Sequence, residues 1–193
     1  MRAARTALEV GFRFVDIKSC HGYLMHEFLS ARPRDGEFGG SFDARTRLLT
    51  MIIERVRDAC PDLMIGVRLS VFDTLPYRTS REVGQPMDAS RLLPYQLGFG
   101  MSEGDPLEYD LTEPFQLLEK LRDLEIVAVN LSCGSPYYNP HLMRPASFPP
   151  SDGYLPPEDP LVGVARQIHV ARKCREAFPG LPMVGSGYSY LQD

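Results

Sequence analysis

What most constrains this chain is an alternation of short β-forming runs with helical segments, joined by connections of very unequal length. Residues 2–9 read as the tail of a helix closed by Gly11. A buried strand is expected at 12–17, rich in the β-formers Phe12, Phe14, Val15 and Ile17. Ser41 is the expected N-cap of a helix of about 17 residues, with Leu48, Leu49, Ile52, Ile53 and Val56 on one face. A strand at 64–70 is apolar apart from Arg68. The spacing then predicts a helix over 112–124 with Pro114 in its first turn, where proline is tolerated. A strand at 126–131, a helix over about 159–177 and a strand at 182–187 complete the pattern.

Strands that alternate with helices pair in parallel through crossover helices. Helix-to-strand turns here are a few residues, while strand-to-helix loops run to about 20–40, a length typical of lids and binding loops. These are 22–41, 71–111 and 132–158, the last carrying Ser135-Pro136 and Pro149-Pro150. Long loops gathered after strand C-termini fit a (β/α)₈ TIM barrel, and equally a doubly wound sheet. A full barrel needs about 250 residues. This α/β chain has 193 and shows about four β/α units, so it reads as a partial barrel.

Bulk properties exclude several classes. Net charge is −4, which gives no electrostatic reason to expect nucleic acid or an anionic membrane as partner. No apolar run approaches the roughly 18 residues of a membrane helix, and the N-terminus lacks a signal-peptide core. The four cysteines have no C-x-x-C spacing, which argues against a structural zinc site and a disulfide framework. A cytoplasmic protein acting on a small molecule, with no metal, is the expectation.

Three groups could carry chemistry. Lys18, His21 and Tyr23 fall within six residues where the first strand ends, and a turn at Gly22 lets them converge. An imidazole can donate to a substrate oxygen, a phenol can deliver a proton, and a lysine can bind an oxygen as a point charge. The bland alternative has Lys18 in solvent and the other two capping the core. Arg68, a lone cation in an apolar strand, should face an anion, an electron-rich ligand or a carboxylate such as Asp16. Gly185, Ser186 and Gly187 follow a strand and either approach a phosphate with backbone N–H groups or form a tight turn. His26 and His169 read as helix-surface residues. Asn130, Ser132, Tyr137 and Tyr138 lie where they could line a pocket.

Taken together, G-F-R-F-V-D-I-K-S-C-H-G-Y-L-M-H-E-F-L-S, F-G-G-S-F-D-A-R-T-R-L-L and I-G-V-R-L-S closely resemble the Old Yellow Enzyme family of NADH:flavin oxidoreductases. N-L-S-C-G-S-P-Y-Y-N-P and V-G-S-G-Y-S-Y-L extend the resemblance to essentially the whole chain. The resemblance implies an FMN-binding TIM barrel, of which residues 1–193 form a domain incomplete at both ends, spanning the fourth to seventh strands. It implies an enzyme that takes hydride from NADH or NADPH and delivers it to an activated alkene. His21 then matches one of two donors to the substrate oxygen, Tyr23 the proton donor, Arg68 the cation at the flavin N1/O2 edge, and Gly185–Gly187 the first phosphate loop.

Lys18 stands where the family usually has histidine, and Ala44 where an asparagine is common. The lysine opens two alternatives: an anionic substrate, or an oxidation like that of the family's amine dehydrogenases and demethylases. A non-catalytic truncated half-barrel is a third. Its two unpaired strand edges would favour self-association, so a homo-oligomer is compatible with it.

Overall fold

A computed structural model describes residues 1–88, 90, 98–147 and 153–191. The elements run α1 (Arg2–Glu9), β1 (Phe14–Ser19), α2 (Leu24–Leu29), α3 (Phe42–Ala59), β2 (Met64–Ser70), β3 (Tyr77–Arg78), β4 (Gln85–Pro86), α4 (Thr112–Asp123), β5 (Ala128–Ser132), α5 (Pro140–Met143), α6 (Pro160–Ala177) and β6 (Met183–Gly185). Local chemistry sets the ends of the long helices. The Ser41 hydroxyl accepts from the Ala44 amide at the start of α3, and the Asp159 carboxylate accepts from Leu161 at the start of α6.

Strands β1, β2, β5 and β6 form one sheet in that order, every pair parallel. Spatial order follows chain order without a reversal, so the sheet has no switch point of the doubly wound kind. The two faces differ. Ile65, Val67 and Leu69 of β2 and Val129 and Leu131 of β5 join Leu49 and Ile53 of α3, Leu117 and Leu118 of α4 and Val170 of α6 in one core. Burying a side chain such as Leu118 fully contributes about 1.5–3 kcal/mol. Phe14 and Met64, paired in register, lie outside that core and are exposed, as is Val184. The Phe14 ring lies across Gly66, where a Cβ would meet its Cζ at 2.4 Å.

The helix expectations hold to within a residue or two, and β2 falls on 64–70 as read. The first strand is shifted: it occupies 14–19, and its exposed residues alternate with partly buried ones. It was expected to be buried, but it pairs on one side only and one of its faces meets no core. Lys18 therefore sits inside the strand. β5 begins at Ala128 and β6 is only three residues long, because the chain leaves the ladder at Ser186. The 71–111 stretch contains the antiparallel β3–β4 pair and a Met101–Tyr109 bridge. Part of that stretch (residues 89 and 91–97) and Pro149-Pro150 lie outside the described residues. No described helix is long and apolar enough to cross a membrane.

Candidate active site at the C-terminal sheet edge

Because all four strands are parallel, their C-terminal ends share one edge. At the end of β1 the chain reverses through His21 (φ 63°) and Gly22 (φ 69°). Gly22 is required here twice over: its φ is left-handed, and a Cβ would meet Ser135 Oγ and the Tyr138 ring at 2.9 Å. The Gly22 amide donates to Nδ1 of His26 at 2.9 Å. His26 is thus buried beneath the turn and is not a surface residue as its helical position suggested. Its ring lies on the inner side of α2, where it serves as an acceptor for the turn.

His21 is held by three serines from neighbouring strand ends. Its amide donates to Ser70 Oγ at 3.0 Å, Nε2 shares a hydrogen bond with Ser132 Oγ at 2.7 Å, and its carbonyl accepts from Ser135 Oγ at 3.2 Å. Burial, then the positive charges of Arg68 and Lys18, pull its pKa down to about 4. The imidazole is therefore neutral near pH 7, and its ring can donate through only one nitrogen. Lys18 does not hang free in solvent. Its Nζ stands 3.2 Å from the centroid of the Tyr23 ring, a cation–π contact. The Tyr23 hydroxyl reaches the Tyr137 hydroxyl at 2.7 Å.

The second half of the site lies along one register row. Lys18 pairs with Arg68, Arg68 with Asn130, and Asn130 with Val184. Arg68 Nε and Asn130 Oδ1 are buried and have no hydrogen-bond partner among the described residues. Leaving such a group unpaired costs about 1–3 kcal/mol, so both atoms call for a partner such as water or a ligand. Asp16 is not an equivalent of that partner: burial raises its pKa, and Arg68 only partly offsets the rise. A cleft of about 210 Å³ opens beside Arg68, with Ser132, Arg144, Ser186 and Gly187 in its wall.

Gly185 is not in that wall. It belongs to β6, and a Cβ there would lie 1.9 Å from the Tyr188 hydroxyl, so this glycine admits the tyrosine. The Ser186 hydroxyl donates to the Leu131 carbonyl at 2.7 Å, and Gly187 turns at φ 79°. Ser186 and Gly187, without Gly185, thus meet Arg68 in one cleft, while Lys18, His21 and Tyr23 cluster at the end of β1.

Sequence reading missed Ser70, Ser135, Asp73 and Asn139. Asn139 Nδ2 donates to Asp73 Oδ1 at 2.5 Å, and the Ser135 amide donates to Asn139 Oδ1 at 2.7 Å. This buried clasp ties the loop after β2 to the loop after β5. The one available signal was their position: Ser70 closes the apolar run of β2, and Asp73, Ser135 and Asn139 follow within seven residues of a strand end.

The sequence profile of the NADH:flavin oxidoreductase / NADH oxidase family matches residues 1–90, which carry Lys18, His21, Tyr23 and Arg68 but not the G-S-G turn. A protein named NADH:flavin oxidoreductase from Gibberella zeae is 40% identical over 80 residues, 40% of this chain and 19% of that protein. The 12-oxophytodienoate reductase 1 of Oryza sativa subsp. japonica is 42% identical over 73 residues, 37% of this chain and 19% of the relative. A Clostridium acetobutylicum NADPH dehydrogenase is 44% identical over 74 residues, 37% of this chain and 22% of the relative. The aligned part spans about a fifth of the length of these curated relatives. Residues 1–90, and only these, are thus similar to the NADH:flavin oxidoreductase / NADH oxidase family.

Proposed function

We propose that this chain forms four consecutive β/α units, the fourth to seventh strands, of an FMN-dependent (β/α)₈ oxidoreductase that uses NADH or NADPH to reduce an activated alkene. The observation that carries this reading is the row Lys18–Arg68–Asn130 on the sheet face outside the core, with Arg68 Nε and Asn130 Oδ1 buried and unpartnered. A donor and an acceptor side by side suit the edge of a planar heteroaromatic ring. The unreversed strand order and the one-sided core support a barrel over a doubly wound sheet, which buries both faces.

The residues present fit the flavin. Arg68 would hold its electron-rich pyrimidine edge, and the Ser186–Gly187 turn with Arg144 would face its phosphate across the same cleft. Bound there, the flavin supplies a two-electron hydride relay from NADH or NADPH to the alkene, which gains one hydride and one proton. The neutral His21 ring donates through Nε2 to the substrate's activating oxygen, exchanging Ser132 Oγ for it. Tyr23 releases its phenolic proton to the α-carbon. Lys18 sits over the Tyr23 ring, where the usual family histidine would have reached for the same oxygen.

The test is a pair of half-reactions on the full-length flavoprotein. Tyr23→Phe should slow alkene reduction about a hundredfold or more while leaving flavin reduction by NADPH nearly unchanged. Equal losses in both half-reactions would remove Tyr23 as the proton donor.

A further inference from the structure

We propose that Tyr137 is a positioning residue for Tyr23: it holds the Tyr23 phenol oxygen and returns a proton to it after each turnover. This rests on the reading of Tyr23 as proton donor. The two hydroxyls are 2.7 Å apart, and the rings stand 5.8 Å apart at an interplanar angle of 58°, so the contact is made by the oxygens and not by stacking.

The pair reaches outward, with Tyr23 42% exposed and Tyr137 65% exposed. A tyrosine serving the core would bury its ring and leave its hydroxyl wet. Tyr137 stays largely in solvent, and its hydroxyl is on Tyr23. Its backbone is nonetheless pinned. Its amide donates to Ser135 Oγ at 3.2 Å, and Ser135 is tied to the His21 carbonyl and to the buried Asn139–Asp73 clasp. The loop is ordered at its base by buried polar groups while its side chain is spent on one contact.

That contact suits the step. When the Tyr23 O–H bond breaks and its proton moves to carbon, the oxygen left behind is met by a hydroxyl donor. The Lys18 ammonium, the charged group facing the ring, lies over its π-face. The Tyr137 O–H bond then breaks toward the Tyr23 oxygen, and water restores the proton to Tyr137. No electrons move in this relay. The hydrogen bond to Tyr23 also raises the Tyr137 pKa, which keeps Tyr137 in the donor form.

Tyr137→Phe removes only the hydroxyl. In the full-length flavoprotein it should slow alkene reduction by about three- to tenfold and leave flavin reduction by NADPH unchanged, the loss expected for one ordinary solvent-exposed hydrogen bond. The Tyr23→Phe/Tyr137→Phe double variant should be no slower than Tyr23→Phe alone. Independently of substrate, a spectrophotometric phenol titration should show that the pair's first ionisation moves to higher pH in Tyr137→Phe. An unshifted titration overturns the proposal, as does a double variant slower than Tyr23→Phe by the full Tyr137 factor. Should the unmodified protein reduce no alkene, the catalytic reading of Tyr23 fails. The titration then decides alone: a shift supports the hydroxyl pairing, and no shift overturns it.

Discussion

His26 accepts the Gly22 amide proton through Nδ1, a bond that needs the neutral ring. Burial, and secondarily His21, lower its pKa from 6.5 to about 4. The unfolded chain protonates first, so stability from this site is complete above pH 6.5 and is lost as pH falls towards 4. Asp73 acts with the opposite sign. Burial raises its carboxyl from 3.8 to about 6, against the hydrogen bonds from Asn139 and Thr74. The cost of its charge is complete above about pH 6 and is relieved as pH falls towards 3.8. Asp73→Asn keeps an oxygen to accept from Asn139 and Thr74 while removing that charge. Unfolding free energy should rise by about 1–2 kcal/mol near pH 8 and by less near pH 5. Urea melts at the two pH values decide it, since an equal gain at both would rule out charge burial as the cause.

At the scale of elements, one carboxylate docks α4 onto its neighbours. Glu113, in the first turn of α4, takes Arg45 of α3 at 2.5 Å and Arg32, from the loop after α2, at 3.1 Å. Arg45 is only 3% exposed and also donates to the Gly40 and Leu29 carbonyls. A carboxylate at that position also suits the positive end of the α4 dipole. Glu113→Ala would leave a buried guanidinium short of its counter-ion and should cost about 3 kcal/mol. Glu103→Ala, which breaks the solvent-exposed pairing to Arg32, should cost under about 1 kcal/mol. Denaturant midpoints for the two variants test the contrast, and similar losses would mean that burial does not set the energy.

For the molecule as a whole, the sheet is finished on one face only. Phe14, Met64 and Val184 are exposed on the other, and β1 and β6 each present an unpaired edge among the described residues. Exposed edges beside an apolar face are templates for pairing with another chain. Residues 1–193 expressed alone should therefore self-associate with rising concentration, and Val184→Lys should reduce that tendency. Sedimentation velocity across a concentration series reads it directly, and a monomer at every concentration would sink the expectation.

Local patterning alone determined most of the framework. Ser41 capped its helix, the 64–70 run was apolar enough to name β2 to the residue, and the alternation with long loops required parallel strands. The pointer to a flavin oxidoreductase family came from the resemblance of whole motifs around Lys18, His21, Tyr23 and Arg68, not from periodicity or spacing. What only the tertiary structure decided were contacts across strands. That His21 leans on Ser132 111 residues away and that Tyr23 meets Tyr137 114 residues away are consequences of parallel register, whereas the burial of His26 and the cover of Lys18 over Tyr23 follow from the way the His21–Gly22 turn folds back. A sequence records which residues follow a strand. The sheet, by setting strand ends side by side, determines which of those residues touch.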